Sequence, residues 1–102
     1  MELKVKKLSN FLESCKGLIG EENPYPVFFK TRFGIHTFFM KFPIDVLVLN
    51  RKNKVVAMKE NLIPFRIYLW NPKFDKVLEL PEGTIATYKI RKGVVTKLEI
   101  EA

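Results

Sequence analysis

The stretch Gly34–Asn50, GIHTFFMKFPIDVLVLN, sets a histidine, a lysine and an aspartate into the most apolar part of the chain. Within it Val46-Leu47-Val48-Leu49 is a short apolar run, β-branched at alternate positions and closed by Asn50-Arg51-Lys52-Asn53. That length, turn flank and β-branching favour a buried strand over a helical segment. A side-chain period of two places Asp45, Leu47 and Leu49 on one face and Ile44, Val46 and Val48 on the other. Both faces are apolar, as in a strand inside a closed barrel or a two-layer packing. Asp45, at the strand entry just after Pro43, is the exception. It reads either as a rim carboxylate that accepts backbone N–H groups or pairs with a lysine, or as a pocket acid. The second reading has weight because an unpaired buried carboxylate costs several kcal/mol.

Toward the N-terminus, six of the nine phenylalanines fall between Phe28 and Phe42, a cluster that fits a core and also fits the wall of a small-molecule pocket. Val27-Phe28-Phe29 reads as a strand, with a turn or short loop at Lys30–Gly34 after it and a Pro-rich loop at Glu21–Pro26 before it. Asn10 with Glu13 fits a helix-capping pattern that Gly17 would end, placing Phe11, Leu12 and Cys15 toward the core. Glu2–Leu8 alternates as a half-buried strand, with Leu3 and Val5 inward.

Toward the C-terminus, Arg51–Lys54 reads as the connection of a hairpin whose second arm is Val55–Met58, and Glu60-Asn61 and Pro64 mark a loop. Phe65, Ile67 and Leu69 then alternate with Arg66, Tyr68 and Trp70, giving an amphipathic strand with an aromatic and basic polar face. Lys76–Leu80 is a further strand with Leu78 and Leu80 on one side and Val77 and Glu79 on the other. Pro81 opens a short helical turn through Gly83–Tyr88, and Val94–Ile100 is a closing strand. The fold class expected is mainly β (α+β): one domain over 1–102, a small barrel-like or rolled mixed β-sheet of six to seven short strands with one or two short helices.

Composition narrows the class of protein. The chain has 102 residues with 47% hydrophobic and 28% charged residues, and no apolar run approaches the ~18 residues of a membrane span. The opening MELKVKKLSN lacks the apolar core of a signal peptide, so a cytoplasmic location is the expectation, with no membrane partner. One cysteine excludes an internal disulfide, and the absence of glutamine points weakly to a thermophile. The formal charge of +7 comes largely from fourteen lysines scattered along the chain, which reads as a soluble surface more readily than as a clustered nucleic-acid footprint.

Four pieces of this order resemble the DUF192 family, small domains of unknown function from bacteria and archaea. Glu13–Ile19 resembles the family's short helix followed by Gly-Leu-Met, and Phe38–Val46 its Phe-Trp-Met…Pro-Leu-Asp-Ile signature. Arg51–Val56 resembles its Asp-Gly-(Arg/Lys)-Val-Val hairpin, and Val77–Gly83 its Val-Leu-Glu-Leu-Pro-Ala-Gly signature. Phe39 stands where the family usually has Trp, Lys41-Phe42 replaces a Lys/Arg-Asn-Thr run, and Gly93-Val94 replaces Gly-Asp. The resemblance implies a fold and carries no function by itself.

No phosphate-cradling glycine loop, nucleophile elbow or His-Glu-x-x-His pair is present, and no cofactor or metal is implied. The first expectation is a non-enzymatic module that binds a small ligand or a partner protein, with homo-oligomerisation open. Its phenylalanine-lined pocket would carry His36, Lys41, Asp45 and Glu79 at the rim, with Met40 beside them. An alternative is single-stranded nucleic-acid binding on the face of Arg66, Tyr68 and Trp70, a face that another segment could equally cover. A second alternative is a weak hydrolase using His36 oriented by Asp45. Paired Asp45 and Glu79 would suit acid–base work if they met in space.

Overall fold

The computed structural model describes residues 2–7, 26–38 and 40–101; the helical turn and Cys15 expected from the N-terminal segment lie outside them. The described strands are β1 (Glu2–Lys7), β2 (Val27–Lys30), β3 (Gly34–His36), β4 (Ile44–Leu49), β5 (Val55–Leu62), β6 (Ile67–Leu69), β7 (Lys76–Pro81) and β8 (Lys97–Glu101), with a helix α1 (Thr84–Tyr88) between the last two. A mainly β fold with a mixed sheet is what the alternation pattern implied. Eight described strands replace the six to seven expected.

The apolar run of β4 sits where a two-faced strand must, inside a six-stranded sheet of order β5-β4-β7-β2-β1-β8. All six of its residues are buried. β4 pairs antiparallel with β5 and with β7, β7 pairs antiparallel with β2, and β1 pairs parallel with both β2 and β8. The outer strands β5 and β8 are not hydrogen-bonded along their length. Around the antiparallel bridge of Lys54 with Val95, backbone hydrogen bonds join the start of β5 to residues 93–96, which precede β8. The sheet is therefore rolled and not closed into a barrel.

The alternation read from sequence divides the core as expected. Leu47, Leu49, Leu78, Leu80 and Phe28 form one apolar layer with Val5 and Ile85 of α1. Ile44, Val46, Val77, Val27 and Phe29 form the other with Ile35 and Met40. On that second face lies a separate two-stranded ribbon, β3 with β6. The turn after β4 is set by Asn50, whose Oδ1 accepts the N–H groups of Lys52 (2.9 Å) and Lys54 (3.0 Å), with Asn53 in the left-handed region that asparagine tolerates (φ 60°). Boundaries move at two strands: the closing strand is Lys97–Glu101 where Val94–Ile100 was expected, and β5 continues through Glu60-Asn61 to Leu62, since Asn61 takes a positive φ at an irregularity of the β4–β5 pairing and does not end the strand.

Among the described residues no helix is long and apolar enough to cross a membrane. The burial pattern predicts a sharp contrast between two apolar positions. Leu47→Ala, at the centre of the sheet, should lower stability by about 2–5 kcal/mol, whereas Ile67→Ala on the exposed face of the ribbon should change it by less than about 0.5 kcal/mol. Urea denaturation measures both, and equal losses would contradict the assignment of the core.

Candidate functional site

Asp45 is 1% exposed and both of its carboxylate oxygens are engaged. Oδ1 accepts the Asn61 N–H (2.9 Å) and Oδ2 accepts the Ile85 N–H (2.8 Å). The second bond explains an irregular helix start. α1 begins after Gly83, which holds a left-handed conformation (φ 87°) and has no side chain to cap the first turn. Asp45 supplies that acceptor from β4, forty residues away in sequence. Of the two sequence readings of Asp45, the acceptor of backbone N–H groups describes its bonding.

Glu79, also wholly buried, lies on the other side of the sheet. It sits opposite Val46 on β4 and Val27 on β2, on the face of Val77. Asp45 shares the face of Leu47 and Leu80. The sheet thus stands between the two carboxylates, and they form no acid–base pair. It also stands between Asp45 and the ribbon that carries His36, so no His36–Asp45 dyad forms. Met40 is a core residue packed with Val27 and Ile44, and Lys41 is exposed on the loop that enters β4. Of the four residues expected at one rim, Asp45 lies across the sheet from the ribbon of His36, Glu79 is buried on the ribbon's side of the sheet, and Lys41 is exposed; Met40, expected beside them, packs into the core on the ribbon's side.

His36 belongs to the β3–β6 ribbon. Its register places Gly34 opposite Leu69, Ile35 opposite Tyr68 and His36 opposite Ile67. Ile35 is buried, so Tyr68 across from it also turns inward, and Trp70 two residues on follows it. Burial pushes the Tyr68 hydroxyl above its ordinary pKa, and the Trp70 Nε1–H donates to the Phe74 carbonyl oxygen (2.9 Å). This inverts the expected amphipathic strand. The aromatic face of Tyr68 and Trp70 is the covered one, and only Arg66 of the three nucleic-acid candidates is exposed. Phe65, Ile67 and Leu69 instead face solvent, at 69%, 60% and 69% exposure.

Thr37, which sequence reading passed over, locks this arrangement. Its Oγ1 donates to the Ile63 carbonyl oxygen (2.7 Å) and accepts the Arg66 N–H (3.0 Å), while its own N–H donates to the Arg66 carbonyl oxygen (2.9 Å). A threonine embedded between His36 and Phe38 in an apolar stretch was the available signal. Gly34 is needed for the same pairing, since an added Cβ would lie 2.5 Å from the Tyr68 carbonyl oxygen. The result is a shallow apolar depression of about 470 Å³ lined by Phe33, Gly34, His36, Phe38, Ile67 and Leu69. The His36 and Phe38 rings stack in it with centroids 4.8 Å apart. Among the described residues no carboxylate lines it, and Arg32 stands at its edge.

A rolled mixed sheet with a buried Asp at a Pro-Ile-Asp strand entry and a Leu-Pro-x-Gly helix start defines a class of small β domain. The chain belongs to the DUF192 family, Uncharacterized ACR, whose model matches residues 2–98. It is 34% identical to a UPF0127 protein of Pyrococcus abyssi over 90% of this chain and 83% of that one. With a UPF0127 protein of Pyrococcus furiosus it shares 28% identity over 91% and 84%. Among solved structures, a candidate transcription regulator from Sinorhizobium meliloti 1021 superposes with a TM-score of 0.70 at 17% identity, covering 87% of this chain and 76% of that one. A protein of unknown function from Novosphingobium aromaticivorans superposes at 0.73, also at 17% identity, covering 87% and 70%. At that identity the likeness is one of fold.

The bonding of Asp45 predicts a structural penalty. Asp45→Ala should cost about 2–4 kcal/mol in urea denaturation, because one buried and one partly buried N–H group lose their carboxylate acceptor. Amide exchange at Asn61 and Ile85 should accelerate more than the global loss explains. A loss under about 1 kcal/mol would contradict this role.

Proposed function

We propose that the protein is a non-enzymatic binding module that holds an apolar segment of a partner protein on the outer face of the β3–β6 ribbon. The observation that carries this is the inversion of β6: Phe65, Ile67 and Leu69 lie exposed beside Phe33 and Phe38, which are 64% and 40% exposed. A soluble domain seldom leaves such a contiguous apolar patch outward without use for it. The patch is shallow and open, which suits a side-chain row from a partner better than an enclosed metabolite.

Charge narrows the partner. Arg32 and Arg66 flank the patch, no carboxylate among the described residues lines it, and the chain carries +7 overall. Two copies meeting face to face would oppose like charges, so a second copy of this chain is disfavoured. An apolar segment flanked by Asp or Glu is complementary in both respects. Among the ionisable residues first considered, His36 alone belongs to this surface, where it contributes a stacked ring.

Two peptides of about ten residues test the reading, one with an apolar centre flanked by glutamates and one with the same centre flanked by lysines. In a ¹H–¹⁵N titration the glutamate-flanked peptide should shift the amides of 33–38 and 65–70, and Leu69→Lys should abolish the shifts while leaving thermal stability within about 0.5 kcal/mol. Shifts that arise elsewhere, or equal shifts with both peptides, would overturn it. Self-association of the free protein through these residues would overturn the choice of partner.

A further inference from the structure

The lysines that look scattered in sequence are gathered by the strand register. Lys30, the last residue of β2, pairs with Lys76, the first of β7, and Lys76 also pairs with Leu49 at the end of β4. Three strands therefore meet at one end of the sheet, and the basic residues that flank each of them converge there. They line a cleft of about 800 Å³. Lys30 and Arg32 reach it from β2 and the residues after it, and Lys73 and Lys76 from the entry of β7. Arg51, Lys52 and Lys54 reach it from the β4–β5 turn. Asp75 is the one carboxylate in the lining among the described residues, and it lies 3.8 Å from the Arg32 guanidinium.

Several of these groups are held in place. Lys76 Nζ donates to Asn53 Oδ1 (3.0 Å) and to the Arg51 carbonyl oxygen (3.3 Å), and Arg32 donates to the Pro72 carbonyl oxygen (2.8 Å). The β4–β5 turn is fixed by the Asn50 side chain. Bringing seven cations together this way costs Coulomb repulsion that the fold accepts, and a bound anion would relieve it. Phe74 also lines the cleft, half-buried, with the Lys73 ammonium 6.0 Å from its ring centroid.

We infer that this cleft binds single-stranded nucleic acid, with the lysines and arginines on successive phosphates and the Phe74 ring against a base. Cations on both flanking strands and the turn match a phosphate chain that threads a groove, and an aromatic surface within the groove matches bases. An acidic peptide would satisfy the charges and leave Phe74 without a stacking partner. Among the described residues no helix lines the cleft, so nothing there reads a duplex by setting a helix in its major groove. The cleft adjoins the apolar ribbon at Arg32, which lines both, but its other six cations and Phe74 lie outside the ribbon's depression, so failure of binding there would leave the docking reading untouched.

Fluorescence anisotropy with a labelled oligouridylate of about 12 nucleotides reads the binding directly. Affinity should fall with salt with a log–log slope of about −3 to −5, as expected when five to seven cations each displace a counterion from a single strand. Lys52→Ala and Lys54→Ala, both at exposed positions, should each lower that slope by about 0.7, whereas Lys89→Ala, outside the cleft, should leave it unchanged. Phe74→Leu should weaken binding about 5- to 150-fold without altering the slope. No binding at about 50 mM salt, or an equal effect of Lys89→Ala, would overturn the site. Polyglutamate of equal charge binding as tightly as the oligonucleotide would overturn the ligand and assign the cleft to an acidic protein.

Discussion

The Asp45 carboxylate ties three parts of the chain together at one buried point. It leaves β4, accepts an N–H from the irregular end of β5, and accepts another from the first turn of α1. Its burial would be prohibitive without those two donors, and α1 would begin on a left-handed glycine with no acceptor for its first N–H groups. Each side of the bargain removes the other's cost. The two stretches that most strongly evoke the family, Pro43-Ile44-Asp45 and Leu80-Pro81-Glu82-Gly83, are thus two halves of one connection. What looks in sequence like an embedded acid waiting for a substrate is the joint on which the helix and one apolar layer are hung.

How much could be read without coordinates follows from which residues decide each feature. The faces of β4 and β7 were legible because alternation assigns Leu47, Leu49, Leu78 and Leu80 to one layer and Ile44, Val46 and Val77 to the other, whichever strands flank them. The same alternation also put Asp45 and Glu79 on faces that turned out to be opposite, but only the β4–β7 register, Asp45 with Leu80 and Val46 with Glu79, made that visible. The continuation of β5 through Asn61 was hidden because its cause is a carboxylate sixteen residues away.

The inversion of β6 shows where single-strand reasoning fails. Taken alone, Phe65, Ile67 and Leu69 are the apolar face and should be buried. In the ribbon the choice is between two pairs of rows. One row holds Ile35 with Tyr68; the other holds Gly34 and His36 with Leu69 and Ile67. Burying the second row would sacrifice the β-branched Ile35 and the large rings of Tyr68 and Trp70 for a glycine, a histidine and two aliphatic chains. Tyr and Trp bury about 150–250 Å² each and need one polar contact, which the Phe74 carbonyl provides for Trp70. The partner strand therefore decides which face is inward, and the partner is not in the hexapeptide.

The same logic governs charge. Runs at 30–32, 51–54 and 73–76 are each unremarkable turn flanks, and each is soluble surface if the strands they flank are far apart. Register removes that option, because Lys30, Leu49 and Lys76 are cross-strand neighbours and whatever follows or precedes them must share one end of the sheet. A fold under selection for solubility alone could alternate signs at such an end, as opposite charges on neighbouring strands are mildly stabilising and like charges are not. Here the directly opposed pair is Lys30 with Lys76, and Asp75, the one acid among the described lining residues, stands beside an arginine. The inferred anion would offset that repulsion at the ends of the central strands, where Lys76 also ties β7 to the β4–β5 turn through Asn53 Oδ1 and the Arg51 carbonyl oxygen.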